Sequence, residues 1–161
     1  NKTYPLPYMA QVIDFIAQQT KGQLVFNYMP TQETEAQIVY NLCKQETQKQ
    51  IFFNVFGKNL REFIAITKHC KCLIGNEGGS TNMAKAIDIP TFSIYSPWNF
   101  KEHWSMFESE TNVSVHLKDF SQNLYLRKTT KDLKKNVLSL YAVFKPDLFF
   151  DQLKTFLTKI T

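Results

Sequence analysis

The stretch from Cys72 to Pro97 constrains the fold more than any other part of this chain. The apolar run Cys72, Leu73, Ile74 leads into a tight polar corner, Gly75-Asn76-Glu77-Gly78-Gly79-Ser80. A helix-like segment from Thr81 to Asp88 follows, then Ile89, Pro90 and a second apolar run from Thr91 to Tyr95. The order is strand, glycine-rich turn, helix, strand. Gly78 and Gly79 carry no side chain and tolerate positive φ, so the backbone is free to approach a ligand. The helix behind them starts with unpaired N–H groups and the positive end of its dipole, where an anion, most often a phosphate, docks.

The flanking sequence repeats this alternation. Tyr8, Val12, Phe15 and Ile16 keep the three-and-four spacing of an amphipathic helix that ends near Lys21-Gly22. Gln23 to Tyr28 and Ile51 to Phe56 are compact apolar runs that predict buried strands. Between them, Glu33 to Cys43 predicts a helix and Gln45 to Gln50 a loop. Asn59 is placed to cap a helix running to about His69. Beyond the central unit, Lys101 to Phe107 predicts a short helix, Val113 to Leu117 a last strand, and Asp132 to Phe144 a helix that restarts after Pro146. Strands alternating with helices of this length imply a Rossmann-like α/β fold, a parallel sheet with helices on both faces. Ligands of that class bind outside the carboxyl ends of the strands, where Asn76 to Ser80 would lie.

Length and composition set the remaining limits. A chain of 161 residues predicts one domain, and 43% hydrophobic with 20% charged residues is an ordinary globular balance. The net charge of +5 suits an anionic ligand or a membrane surface without naming one. Its densest part, Arg127, Lys128, Lys131, Lys134 and Lys135, reads as a solvated helix face, and no nucleic-acid motif is present. No apolar run reaches the roughly 20 residues that span a bilayer. The expected setting is cytoplasmic. Three cysteines, an odd number, argue against a disulfide framework and for buried free thiols, and no spacing suggests zinc.

Several residues together resemble a known family. The run Leu73-Ile74-Gly75-Asn76-Glu77-Gly78-Gly79-Ser80-Thr81-Asn82-Met83-Ala84, then Pro90 and Tyr95-Ser96-Pro97, resembles the C-terminal domain of glycosyltransferase family 9, the lipopolysaccharide heptosyltransferases and their relatives. Lys2-Thr3-Tyr4-Pro5 looks like that family's Lys-x-Trp-Pro. The resemblance implies the nucleotide-sugar donor half of a two-domain GT-B enzyme, with 1–161 a single donor-binding domain and a piece of a longer chain. It implies a nucleoside-diphosphate sugar as donor substrate, no cofactor, no metal, and inverting transfer to a lipopolysaccharide or other surface glycan. The acceptor would be held by an N-terminal domain that also carries the catalytic carboxylate, leaving no catalytic residue in this segment and no activity from it alone. Contact with the cytoplasmic face of the inner membrane is a further implication.

Carried over by position, Lys2, Glu77, Gly78, Gly79, Ser80, Thr81, Asn82 and Lys85 are the expected donor-binding residues, with Glu33, Glu35 and Ser96 candidate ribose or base contacts. Glu77 stands where the family has Asp and is assigned to the sugar or to scaffolding, not to phosphate. Asn82 replaces a His, and an amide donates a hydrogen bond but carries no charge. Ser96 replaces the Gly before Pro97. Lys85 faces either the site or solvent. Trp98 and Trp104 read as packing or as walls of a cleft, and His103 and His116 as surface or packing histidines, with a general base the alternative. Two other readings compete with a transferase: a binding module that holds a nucleotide or anion without chemistry, and an interaction fold whose corner is only a turn. A transferase implies a catalytic domain elsewhere in the enzyme, and a module does not.

Overall fold

The computed structural model describes residues 2–160. Its helices are α1 (Leu6–Thr20), α2 (Glu33–Leu42), α3 (Gln45–Gln48), α4 (Leu60–Lys68), α5 (Gly79–Ala86), α6 (Thr130–Lys135), α7 (Val137–Val143) and α8 (Phe150–Ile160). Three strands, β1 (Leu73–Asn76), β2 (Thr91–Ile94) and β3 (Asn112–Val115), form a parallel sheet in the order β1-β2-β3. Gly75 lies opposite Ser93, and Ser93 opposite Ser114. The result is an α/β domain with a three-stranded parallel sheet flanked by helices, the Rossmann-like class the alternation predicts.

Side-chain alternation along β2 explains the layering. Phe92 and Ile94 point into an aromatic core with Tyr4, Val12, Phe144, Phe149 and Phe156, all essentially without solvent contact. Phe92 meets Phe156 at 5.6 Å between ring centres, and Phe15 of α1 stacks on Phe150 of α8 at 4.2 Å. Each such ring contributes about 1.5–3 kcal/mol on burial. Thr91 and Ser93, on the other face, are small enough for α5 to pack on β1 and β2 through Thr81 and Ala84.

Local chemistry sets the helix ends. Lys21 takes the left-handed conformation after α1, and its N–H donates to the Ala17 carbonyl. Asn59 caps α4 by accepting from the Glu62 N–H at 3.1 Å. Gly57 is required by close approach, because a Cβ there would lie 2.4 Å from the Phe63 nitrogen.

Five expectations need correction. The runs Gln23 to Tyr28 and Ile51 to Phe56 do not become strands; they meet in one parallel bridge, Leu24 to Ile51. Beyond it their rings pack, Tyr28 stacking on Phe56 at 5.0 Å and Phe26 meeting Phe53 at 5.7 Å, while a turn from Phe52 to Val55 carries the backbone away. Gln45 to Gln50 contains the short helix α3 instead of being all loop. The helix expected over Asp132 to Phe144 breaks at Asn136, whose side-chain amide donates to the Asp132 carbonyl and competes with the backbone ladder. The helix at Lys101 to Phe107 is a single 3-10 turn, Lys101–His103. Among the cysteines only Cys43 is buried; Cys70 and Cys72 are half-buried, and all three are free thiols. Burial pushes the Cys43 and Cys72 thiols up to about 12. Among the described residues, no helix is long and apolar enough to cross a membrane.

Candidate functional site

The corner begins where β1 ends. The Glu77 N–H donates to the Ile94 carbonyl at 3.0 Å, continuing the sheet by one rung, and this fixes the direction in which its side chain leaves. The Glu77 carboxylate accepts the Lys2 ammonium at 2.7 Å and the Asn99 amide at 2.9 Å through the same oxygen. Its side chain is only 9% exposed, while that of Lys2 is 51% exposed.

Lys2 reaches this point because its motif is anchored twice. Tyr4 is 1% exposed within the aromatic core, and its hydroxyl donates to the Phe144 carbonyl. Its N–H donates to the Asn76 side chain at 2.9 Å, tying the segment to the last residue of β1. Burial drives the Tyr4 pKa far above the ordinary phenol value, so this donor stays protonated. Pro5 then leads into α1. Tyr4 thus does as an anchor what a large aromatic in that place must do, and Lys2 projects over the corner as a consequence.

Neither Gly78 nor Gly79 takes the left-handed conformation that glycine allows. Gly78 is extended, with φ 161° and ψ −164°, and Gly79 is the first residue of α5. A Cβ on either would meet nothing within 4 Å. Neither conformation nor packing within the fold requires glycine here; the space in front of the backbone is open. Thr81 closes the turn, its hydroxyl donating to the Gly78 carbonyl at 2.8 Å and accepting the Gly78 N–H at 3.2 Å. The N–H groups of Gly79 and Ser80 have no acceptor among the described residues, as expected at a helix start.

The remaining expected residues divide. Ser80 is half-buried at the corner and Asn82 is exposed on the first turn of α5. Lys85 turns away, its ammonium donating to the Met106 carbonyl at 2.8 Å and standing 3.9 Å from Glu108, so it braces the loop before β3. Ser96 is 1% exposed, beneath the surface beside Tyr141 and His116. Glu33 and Glu35 lie exposed on the first turn of α2, which packs on α1, and no hydrogen bond or ion pair among the described residues links them to the corner. Glu33 lines a shallow depression with Thr34, Gln37 and Ile38.

Both tryptophans lie near Lys2. The Lys2 ammonium lies 5.8 Å from the Trp98 ring centre and 6.0 Å from that of Trp104. Trp98 also carries the Lys134 ammonium at 4.2 Å. Asn99 and Lys134 are not among the residues the motif singles out. Asn99 had no motif of its own, and Lys134 was hidden in a basic run that reads as a solvated face. Tyr95, between Glu77 and Glu108, is pushed up to about 12 by burial first and by those carboxylates second.

His116 is a packing residue. It is 1% exposed, its Nδ1 accepts the Lys118 N–H at 3.1 Å, and burial lowers its pKa to about 4, so it is neutral at pH 7. The His103 side chain lies outside the described residues. Among those residues, no group of three His, Cys, Asp or Glu side chains is placed to hold a metal ion.

A parallel sheet with a glycine corner at the carboxyl end of its first strand, followed by a short helix, defines a Rossmann-like half of the GT-B class. The family model for glycosyltransferase family 9 (heptosyltransferase) matches residues 1–145, and the chain belongs to that family. Comparison with curated proteins and with solved structures returned no match. The matched span includes Lys2 and the whole corner; α8, beyond it, completes the same core through Leu153, Phe156 and Leu157.

Proposed function

We propose that this domain binds the nucleoside-diphosphate sugar donor of a glycosyltransferase, with the diphosphate seated on the Gly78-Gly79 corner. The carrying observation is the open space before two glycines that the fold itself does not need, at the start of a helix whose first N–H groups lack acceptors. Lys2 adds a positive charge beside it, and Glu77, held by Lys2 and Asn99, is positioned to accept from sugar hydroxyls.

In the transfer step an acceptor hydroxyl attacks the anomeric carbon from the face opposite the diphosphate, and the carbon–oxygen bond to the diphosphate breaks. Negative charge grows on the departing nucleoside diphosphate, and helix N–H groups with Lys2 stabilise it more in the transition state than in the ground state. This chemistry calls on no metal. The acceptor, a lipopolysaccharide-type or other surface glycan, is presented by a second domain that supplies the general base, so residues 1–161 bind donor without turnover. The setting that fits is the cytoplasm, at the inner face of the membrane.

Calorimetry with ADP, UDP, GDP and CDP tests the reading. One of the four binds in the micromolar range, and its nucleoside binds far more weakly. If none binds, the corner is not a donor site.

A further inference from the structure

The corner's charge balance points to a cation outside the motif residues. Glu77 pairs with Lys2 at 2.7 Å, so this carboxylate offsets the one cation that the Lys-x-Tyr-Pro segment delivers. Lys85, the only basic residue of α5, is committed to the Met106 carbonyl and lies near Glu108. Taken alone, the glycine corner and its motif residues are close to electrically neutral, whereas a nucleoside diphosphate brings two or more negative charges.

Lys134 is different. It arrives from α6, at the far end of the sequence, and its ammonium sits 4.2 Å from the centre of the Trp98 ring. The Lys2 ammonium lies 5.8 Å from the centre of the same ring, so both cations approach a single indole. Lys134 makes no ion pair among the described residues. Its backbone is well fixed: the neighbouring Leu133 is 3% exposed in the core, and Thr129 and Asp132 cap α6 reciprocally. A lysine without a carboxylate, stacked on an aromatic face next to a charge-balanced site, is ready to meet an anion. Contact with the ring also limits the freedom the side chain would lose on binding.

We infer that Lys134 is a second phosphate-contacting residue of the donor site, with Trp98 as the platform that aims it. The inference rests on the donor-site reading above. On this account Lys2 is shared between Glu77 and the ligand, and Lys134 supplies the net positive charge that the diphosphate requires. The chemical class recognised is a diphosphate; a nucleoside monophosphate, with its phosphate at one end of the site, depends on Lys134 less.

The test is calorimetry on the full chain, with the nucleoside diphosphate that binds best and the matching monophosphate, for wild type, Lys134→Ala, Lys134→Arg and Gly79→Asp. Lys134→Ala weakens diphosphate binding about tenfold, the size of one charge-assisted contact, and changes monophosphate binding by less than about threefold. Lys134→Arg restores most of the loss, and the dependence of affinity on salt is shallower in Lys134→Ala than in wild type. Unchanged diphosphate affinity in Lys134→Ala, together with a large loss in Gly79→Asp, overturns the role of Lys134 and leaves the donor site standing. Equal losses for both ligands assign Lys134 to general electrostatics and also overturn it. If the wild type binds no diphosphate, both readings fall together.

Discussion

Two parts of the molecule begin with the same kind of sequence and end differently. Residues 72–95 and residues 23–56 each hold two compact apolar runs separated by a helix. In the first, the runs pair in register over four residues, and every residue of β2 is buried. In the second, pairing stops after the single Leu24 to Ile51 bridge, and Val25, Phe52 and Val55 remain between 37% and 45% exposed. The difference lies in what covers the runs. β2 has a strand on each side, an aromatic core on one face and α5 on the other. The runs of the second part pack mainly on the small cluster of Ala10, Val39, Cys43 and Ile51, with Leu24 alone reaching the large core. An apolar run becomes a strand when both its edges and both its faces find partners; otherwise its rings gather locally.

The sharpest contrast is between core truncations. Phe92→Ala should cost about 3–5 kcal/mol in urea denaturation, since its ring is fully enclosed. Ile51→Ala, at the margin of the smaller cluster, should cost about 2 kcal/mol. Equal costs would break the comparison. The sheet side should also carry the acid sensitivity. His116 binds its proton near pH 6.5 when unfolded but near 4 when folded, so between those values the unfolded chain holds more protons. Stability is therefore fully present above pH 6.5 and falls as pH drops toward 4, by at most about 3 kcal/mol. A His116→Gln variant should flatten that slope when stability is measured against pH. A smaller effect lies at the junction of the two parts: Asn59→Ala removes the α4 cap and should cost about 1 kcal/mol, read from the thermal midpoint. Finally, amide exchange should be slower at Phe92 and Ile94 than at Leu24 and Phe52, whose amides have only one bridge to protect them.

The same physics decides what the sequence made legible. The central unit was readable because its strand, corner, helix and strand are contiguous, and its signals of glycine, proline and apolar period agree. The α1, α2, α4 and α8 helices were readable for a similar reason, since each carries its own amphipathic stripe or cap. The two lost strands were not, because an apolar run does not say whether a partner strand continues beside it. At the site, Lys2 and Glu77 were placed by motif, and the structure joins them in an ion pair. Lys85 and Ser96 carry the right chemistry at the right spacing, but one braces a loop and the other lies beneath the surface. Only folding brings Asn99 to Glu77 and Lys134 to Trp98.

The central claim is that Gly78 and Gly79 are glycines for a ligand and not for the fold. Gly79→Asp tests it most directly, because the new side chain has open space and its charge suits a helix N-terminus. The account predicts an unchanged or slightly raised thermal midpoint, with nucleoside-diphosphate affinity lost by about a hundredfold or more, as a carboxylate takes the place of the phosphate. A variant that keeps both its stability and its affinity would contradict the account.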